Sequence, residues 1–239
     1  MLFSRLPENA RWLTRLPIAH RGLHDAKAGI VENTLGAFGA AAGAGYAIEL
    51  DVRASAEDEA IVFHDAKLER LTAATGPLAA QNAAALRTLT LTGSGETIPA
   101  LADVLALVRR RVPLLIEIKS DGVANPRLAA RVQDLLRHYD GAAAIQSFEP
   151  ALLRWFARHA PALPRGLLAS RNRDLLTAPT LCPHFIGYDV RGLPAPLPAL
   201  ARRLGCPVLA WTVKDAQTEA IGRTYADNII FEGLRPLLP

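Results

Sequence analysis

Cysteine is almost missing: Cys182 and Cys206 are the only two, each beside a proline and far apart along the chain. That excludes a disulfide framework and a paired zinc motif, and leaves two small core fillers. No apolar run approaches the roughly 18 residues needed to span a bilayer. The opening MLFSRLPENARWLTRL also lacks the continuous apolar stretch of a secretory signal. The expectation is a cytoplasmic protein with no stable membrane insertion. Lysine is scarce, with Lys27, Lys67, Lys119 and Lys214 as its only occurrences, so arginine supplies the other cations. The net charge of +4 suits an anionic ligand, but the basic residues are scattered rather than massed, which argues against nucleic acid as a partner. No glycine-rich phosphate loop follows the first apolar segment, so an open doubly wound sheet lacks its usual signature.

What the chain does contain is alternation. With 239 residues, half of them apolar, it is large enough for one good core, and residues 1–239 read as a single domain. PIAHRG reads as a strand, followed by a helical stretch from about Thr34 to Ala44 that Asn33-Thr34 starts and Gly43 and Gly45 stop. AIELDVRA and AIVFHD read as strands around the Asp58-Glu59 turn, and IPALADVLALVRR as a helix leading to the strand VPLLIEIKS. Helix-then-strand pairs continue through AAAIQSF, LPRGLLAS, FIGYDV and PVLAWTV. A helix near Asp215 to Tyr225 and the strand ADNIIFEG close the chain. Strands apolar on both faces and separated by helices predict an α/β fold, a closed TIM-type (β/α)8 barrel, with its site at the C-terminal ends of the strands. The loop-rich stretch 66–97 after the His64 strand is long enough to predict a lid over that site.

Polar residues interrupt these strands in a pattern. In Ile48-Glu49-Leu50-Asp51-Val52 the strand period puts both carboxylates on one face, and Ile116-Glu117-Ile118-Lys119 repeats the device with a carboxylate and an ammonium. Burying unpaired charge is costly, so carboxylates meeting at one barrel mouth need a cation. Two readings are open. Arg21, Arg53 and Lys119 neutralise Glu49, Asp51 and Glu117 in an ion-pair network, or the three carboxylates hold a divalent metal. All-oxygen ligands favour Mg²⁺ or Ca²⁺. His20 and His64 end strands at the same face and offer a general acid and a general base, whereas His138, His159 and His184 read as surface or capping residues. Arg21 offers a planar fork for phosphate oxygens. Trp211, at another strand end, is either core or pocket wall. Metal, paired histidines and strand-end cations together point to phosphoryl chemistry on a small-molecule phosphodiester.

The motifs IAHRG, ENT (Glu32 to Thr34), IELDV (Ile48 to Val52), VFHD (Val62 to Asp65), IEIK (Ile116 to Lys119) and WTV (Trp211 to Val213) resemble, in order, those of the glycerophosphodiester phosphodiesterases of lipid and glycerol metabolism. The resemblance implies a TIM barrel and release of glycerol 3-phosphate and an alcohol. It implies metal binding by Glu49, Asp51 and Glu117, acid and base roles for His20 and His64, and phosphate contact by Arg21 and Lys119. It also implies attack by the substrate's own glycerol hydroxyl through a cyclic phosphate. A lysophospholipase D using the same site is one alternative; a non-catalytic barrel sensing a phosphorylated ligand is another, though binding alone does not need both histidines. Two positions depart from the family pattern. Val31 stands where proline usually precedes ENT, and Phe231-Glu232-Gly233 replaces the usual Thr-Asp ending, which puts the last strand's contribution to the pocket in question.

Overall fold

The computed structural model describes residues 3–239. In chain order the strands are β1 (Ile18–Ala19), β2 (Ala47–Ala54), β3 (Ala60–Val62), β4 (Leu114–Ile118), β5 (Ala143–Ser147), β6 (Arg165–Ala169), β7 (Phe185–Asp189), β8 (Val208–Val213) and β9 (Asn228–Phe231). All but β3 pair in parallel, in the order β1-β9-β8-β7-β6-β5-β4-β2, and β1 pairs with β2 to close an eight-stranded barrel. Ile18 makes the closure by sitting opposite Ala47 on one side and Ile230 on the other. Helices α1 (Leu35–Gly43), α2 (Ala83–Leu86), α3 (Leu101–Val108), α4 (Pro126–Arg137), α5 (Pro150–His159), α6 (Ala178–Leu181), α7 (Pro196–Arg203) and α8 (Ala216–Tyr225) lie in the connections. Among the described residues no helix is long and apolar enough to cross a membrane.

The double-sided hydrophobicity of the strands has two causes. Residues such as Ile48, Leu50, Val52, Ile116 and Val208 face outward into a core shared with Phe38, Val104, Val132 and Phe156 of the helices. The alternate positions Ile18, Ala47, Leu115, Ala144, Phe185, Leu209 and Ile230 fill the barrel interior together with Trp12 and Leu13 of the 3-10 helix Glu8–Thr14. The lower interior is therefore packed with hydrocarbon, as closed barrels require, and only the upper end is left for polar groups.

AIVFHD, a strand after the Asp58-Glu59 turn as expected, forms β3 and stands outside the parallel ring. Ser55 and Glu59 close a tight turn, with Glu59 N donating to Ser55 Oγ and Asp58 at φ 65°, and the chain returns along β2 in antiparallel pairing, Val52 opposite Val62. So short a link cannot make a parallel crossover, which needs a dozen or more residues. The stretch 66–97 also differs from a lid in its packing. Leu68, Leu78, Leu86 and Leu91 build a small core of their own with Ile61, Phe63 and Ile98. His184 corrects another expectation, that of a surface or capping residue: it is buried, its Nδ1 accepts from Arg165 N, and burial pushes its pKa down to about 4.

The turn after β1 is the most constrained link to the site. Arg21 and Gly22 take φ values of 55° and 82°, which lets His20 finish the strand by donating its N–H to Phe231 O while Arg21 swings back over the mouth. A Cβ at Gly22 would lie 2.8 Å from Ala37 Cβ in the first turn of α1, so both backbone conformation and space demand glycine. Gly22→Ala should destabilise the fold by more than about 1 kcal/mol in urea unfolding, beyond the cost of a lost glycine alone.

Candidate active site

Glu49 and Asp51 on β2 and Glu117 on β4 converge at the barrel mouth, each fully or almost fully buried. One carboxylate oxygen from each lies within 4.8 Å of the others. Register explains the meeting, because Asp51 and Glu117 are directly opposite on paired strands. Lys119 Nζ bridges the set at 3.0 Å from Asp51 Oδ1 and 2.6 Å from Glu117 Oε1. Arg21 gives its backbone N–H to Glu49 Oε2 at 3.0 Å and places Nε 3.1 Å from Asp51 Oδ2. Asn33, itself at φ 58°, donates from Nδ2 to Asp51 Oδ2 and accepts the Asp51 N–H. Thr34 alone caps α1, accepting from Ala37 N.

The electrostatics divide the three acids. Burial, then repulsion by Asp51 and Glu117, pushes Glu49 well above the carboxylate range. Burial raises Glu117 in spite of Lys119. Asp51 is equally buried, but Lys119 and Arg21 outweigh burial and hold it far below its ordinary value. Burial likewise opposes the charge on Lys119, yet Asp51 and Glu117 keep it raised. Glu49 Oε1 is buried with no hydrogen-bond partner among the described residues. Two cations thus offset part of a three-carboxylate charge, and an unmet hard oxygen remains: this donor set fits a divalent ion. The ion-pair reading is correct for Arg21 and Lys119 but not for Arg53. That residue lies one pleat beyond the mouth and donates instead to His64 O and Asp121 Oδ1.

Both histidines are tied at the same ring nitrogen. His20 Nδ1 lies 2.7 Å from Glu232 Oε2, and His64 Nδ1 lies 2.7 Å from Asp65 Oδ1. Burial opposes ionisation of Glu232, but His20 and Lys214 hold it down at about 2. Asp65 is likewise lowered against its burial, by Arg70 and His64. Each carboxylate is therefore ionised and accepts an Nδ1–H, leaving Nε2 of each imidazole free. Burial lowers the His64 pKa more than the pull of Asp51 raises it, which favours its neutral form.

Both histidines border a cavity of about 130 Å³ with Arg21, Glu49, Glu117 and Lys119 on its charged side. Leu168, Ile230, Phe148 and Trp211 form the other side, with Gln146 between. Trp211 packs on the interior core and lines the cavity as well, meeting Phe148 edge-on at 5.5 Å. No residue of 66–97 borders this cavity. The segment reaches the site through Arg70, which binds Asp65 and, from NH2, Glu32 Oε1 at 2.7 Å.

Several residues escaped the sequence reading. Glu232 is the main correction: the unusual ending of the last strand still contributes to the pocket, by holding His20. Its signal was parity, since Ile230 and Glu232 alternate onto one face. The same rule finds Gln146, which sits opposite Glu117 in the pairing of β4 and β5. No local pattern reveals Arg70, because its partners come from two other segments.

A closed parallel barrel with hydrocarbon below and a cluster of carboxylates, cations and histidines at its C-terminal mouth is the enzyme-bearing form of this architecture. The family follows from comparison. Residues 20–230 match the model of the glycerophosphoryl diester phosphodiesterase family, and the chain belongs to that family. It is 33% identical over 163 residues to the glycerophosphodiester phosphodiesterase of Caldanaerobacter subterraneus, covering 64% of this chain and 66% of that one. It is 27% identical to YhdW of Bacillus subtilis over 240 residues, covering 90% and 97% of the two chains. Among solved structures, an Oleispira antarctica phosphodiesterase in complex with the product sn-glycerol-3-phosphate superposes with a TM-score of 0.81 at 24% identity, covering 91% and 93%. The Thermotoga maritima glycerophosphodiester phosphodiesterase gives 0.74 at 22%, covering 91% and 94%. These structural likenesses concern the fold.

Replacing the acceptor at His64 tests the tie directly. Asp65→Asn should favour the wrong tautomer and lower kcat by about 10²-fold or more, with KM changed only a few-fold. Steady-state phosphodiesterase assays read both constants.

Proposed function

We propose that this protein cleaves glycerophosphodiesters to glycerol 3-phosphate and an alcohol, with His20 and His64 as the acid–base pair. The observation that carries the reading is the pair of carboxylate-tied histidines flanking a buried three-carboxylate cluster. Glu49, Asp51 and Glu117 would hold Mg²⁺ or Ca²⁺, and such an ion supplies positive charge to phosphate oxygens and eases ionisation of a nearby hydroxyl. Arg21 and Lys119 border the same side of the cavity and add fixed positive charge toward the phosphate. Trp211 walls the opposite side, against the carbon skeleton.

Proton transfer falls to the two free Nε2 atoms. One imidazole takes the proton of the attacking hydroxyl as its oxygen bonds to phosphorus. The other gives a proton to the alkoxide as the phosphorus–oxygen bond to the alcohol breaks. Asp65 and Glu232 keep both rings oriented and favour the imidazolium formed in each step. The attacking group is the glycerol hydroxyl beside the phosphorylated carbon. It is already tethered to the phosphorus, which gives it an effective concentration that water lacks. The resulting five-membered cyclic phosphate is opened by water with the histidine roles reversed.

Turnover of several glycerophosphodiesters and lysophospholipids, with and without EDTA, tests the substrate class. Cleavage of glycerophosphodiesters that is lost on chelation is the expected result; EDTA-resistant turnover would sink the metal assignment. Saturating divalent ion should raise Tm by mass action on the folded state, and Glu49→Gln should remove most of that increment. A substrate analogue lacking only the glycerol 2-hydroxyl should bind competitively and resist cleavage. Its cleavage at the normal rate would show that water attacks directly.

A further inference from the structure

We propose that Gln146 reads a free hydroxyl on the substrate's polyol part, and so selects glycerol-bearing phosphodiesters over diesters with bare hydrocarbon at that place. The inference rests on the function proposed above and identifies what makes the site selective. Gln146 projects from β5 into the cavity and is only 2% exposed. Its Oε1 is shut off from solvent with no hydrogen-bond partner, and its side chain bonds to none of the described residues. Buried amides are ordinarily satisfied, so an unmet one in a ligand cavity marks a group that the ligand completes.

A second unmet group belongs to another residue lining the same cavity. Trp211 Nε1 is also buried without a partner. Both lie around Gly187 of β7: a Cβ there would stand 2.5 Å from Leu168 Cδ2, 3.3 Å from Trp211 Cδ1, the atom bonded to Nε1, and 3.5 Å from Gln146 Oε1, so only glycine lets these three side chains crowd together. An unmet amide acceptor and an unmet indole donor are thus neighbours on the wall of one cavity. A hydroxyl both donates and accepts, and it serves this pair. A phosphate oxygen only accepts and leaves Oε1 unmet, a cation has no use for the indole N–H, and a hydrocarbon satisfies neither. β5 stands between the strands that carry the charged groups and those that carry the apolar wall, so a ligand with its phosphate toward Arg21 and Lys119 and its carbon skeleton toward Trp211 passes Gln146 with its polyol part.

The test compares sn-glycerol 3-phosphate with n-propyl phosphate, which has the same charge and carbon count but no hydroxyls. Their dissociation constants are measured by titration calorimetry on the full chain with saturating divalent ion. The wild type should prefer glycerol 3-phosphate by about tenfold or more, the scale of one neutral hydrogen bond. Gln146→Leu should lower the ratio several-fold by weakening glycerol 3-phosphate, with n-propyl phosphate left unchanged. Its ligand-free Tm should stay level or rise, because an unmet amide gives way to an apolar group of similar size. Gln146→Met repeats the measurement with a different shape should the leucine variant fold poorly. An unchanged ratio in a folded variant overturns the proposal. So does a tenfold loss of divalent-ion affinity, which would make Gln146 a metal ligand. A wild type that binds both phosphates equally also overturns it, while the glycerophosphodiester reading stands or falls on its own turnover assay.

Discussion

Three carboxylates held in the dry mouth of a closed barrel repel one another, and the surrounding polar structure answers that repulsion. Lys119 and Arg21 neutralise part of it, and their own burial is tolerable only because the acids are there. The answer does not stop at the first cations. Arg21 also binds Glu32, Arg70 binds Glu32 and Asp65, and Asp65 holds His64. Charges of alternating sign therefore run from the metal-fitting cluster to one of the two histidines. The inserted segment 66–97 takes part through a single side chain, which explains why it can carry its own small core away from the cavity and still matter to the site.

The second histidine is held by a separate arrangement of the same kind. Glu232 ties His20, and Lys214 supports Glu232 from the end of β8. In both pairs a cation keeps the carboxylate ionised, the carboxylate occupies Nδ1, and Nε2 makes no hydrogen bond to the described residues. Two imidazoles prepared alike suit a reaction in which proton donor and acceptor exchange roles between successive steps. The histidines are brought to the mouth by different routes, one at the end of a barrel strand and one by an antiparallel return along β2.

The cavity between them has two sides because neighbouring strands end in different chemistry. β2 and β4 bring the acids and Lys119, while β6, β8 and β9 bring Leu168, Trp211 and Ile230. A phosphate ester has the same division, charged at phosphorus and carbon-rich elsewhere. At the boundary Gly187 of β7 lets Leu168, Trp211 and Gln146 crowd together, and Gln146 Oε1 and Trp211 Nε1 are left there without a hydrogen-bond partner among the described residues.

The sequence by itself determined what depends on near neighbours. Strand alternation put Glu49 beside Asp51 and Glu117 beside Lys119 on inward faces, and Thr34 and the Asn33 turn set the start of α1. The succession of strands and helices, together with apolar runs on both strand faces, was enough for the barrel. Tertiary structure decided everything that joins segments far apart. Closure of β1 on β2 set the ring, the tight turn at Ser55 reversed the strand before His64, and Arg53 was drawn away to His64 O. Glu232 reached His20 across 212 residues of sequence, and Arg70 joined Glu32 to Asp65. Trp211 proved to be core and cavity wall together because a strand end at the mouth touches both. The physical reason is range: alternation and capping act within a few residues, whereas an ion pair needs only nearness in space, and that nearness is set by the register and closure of the whole barrel.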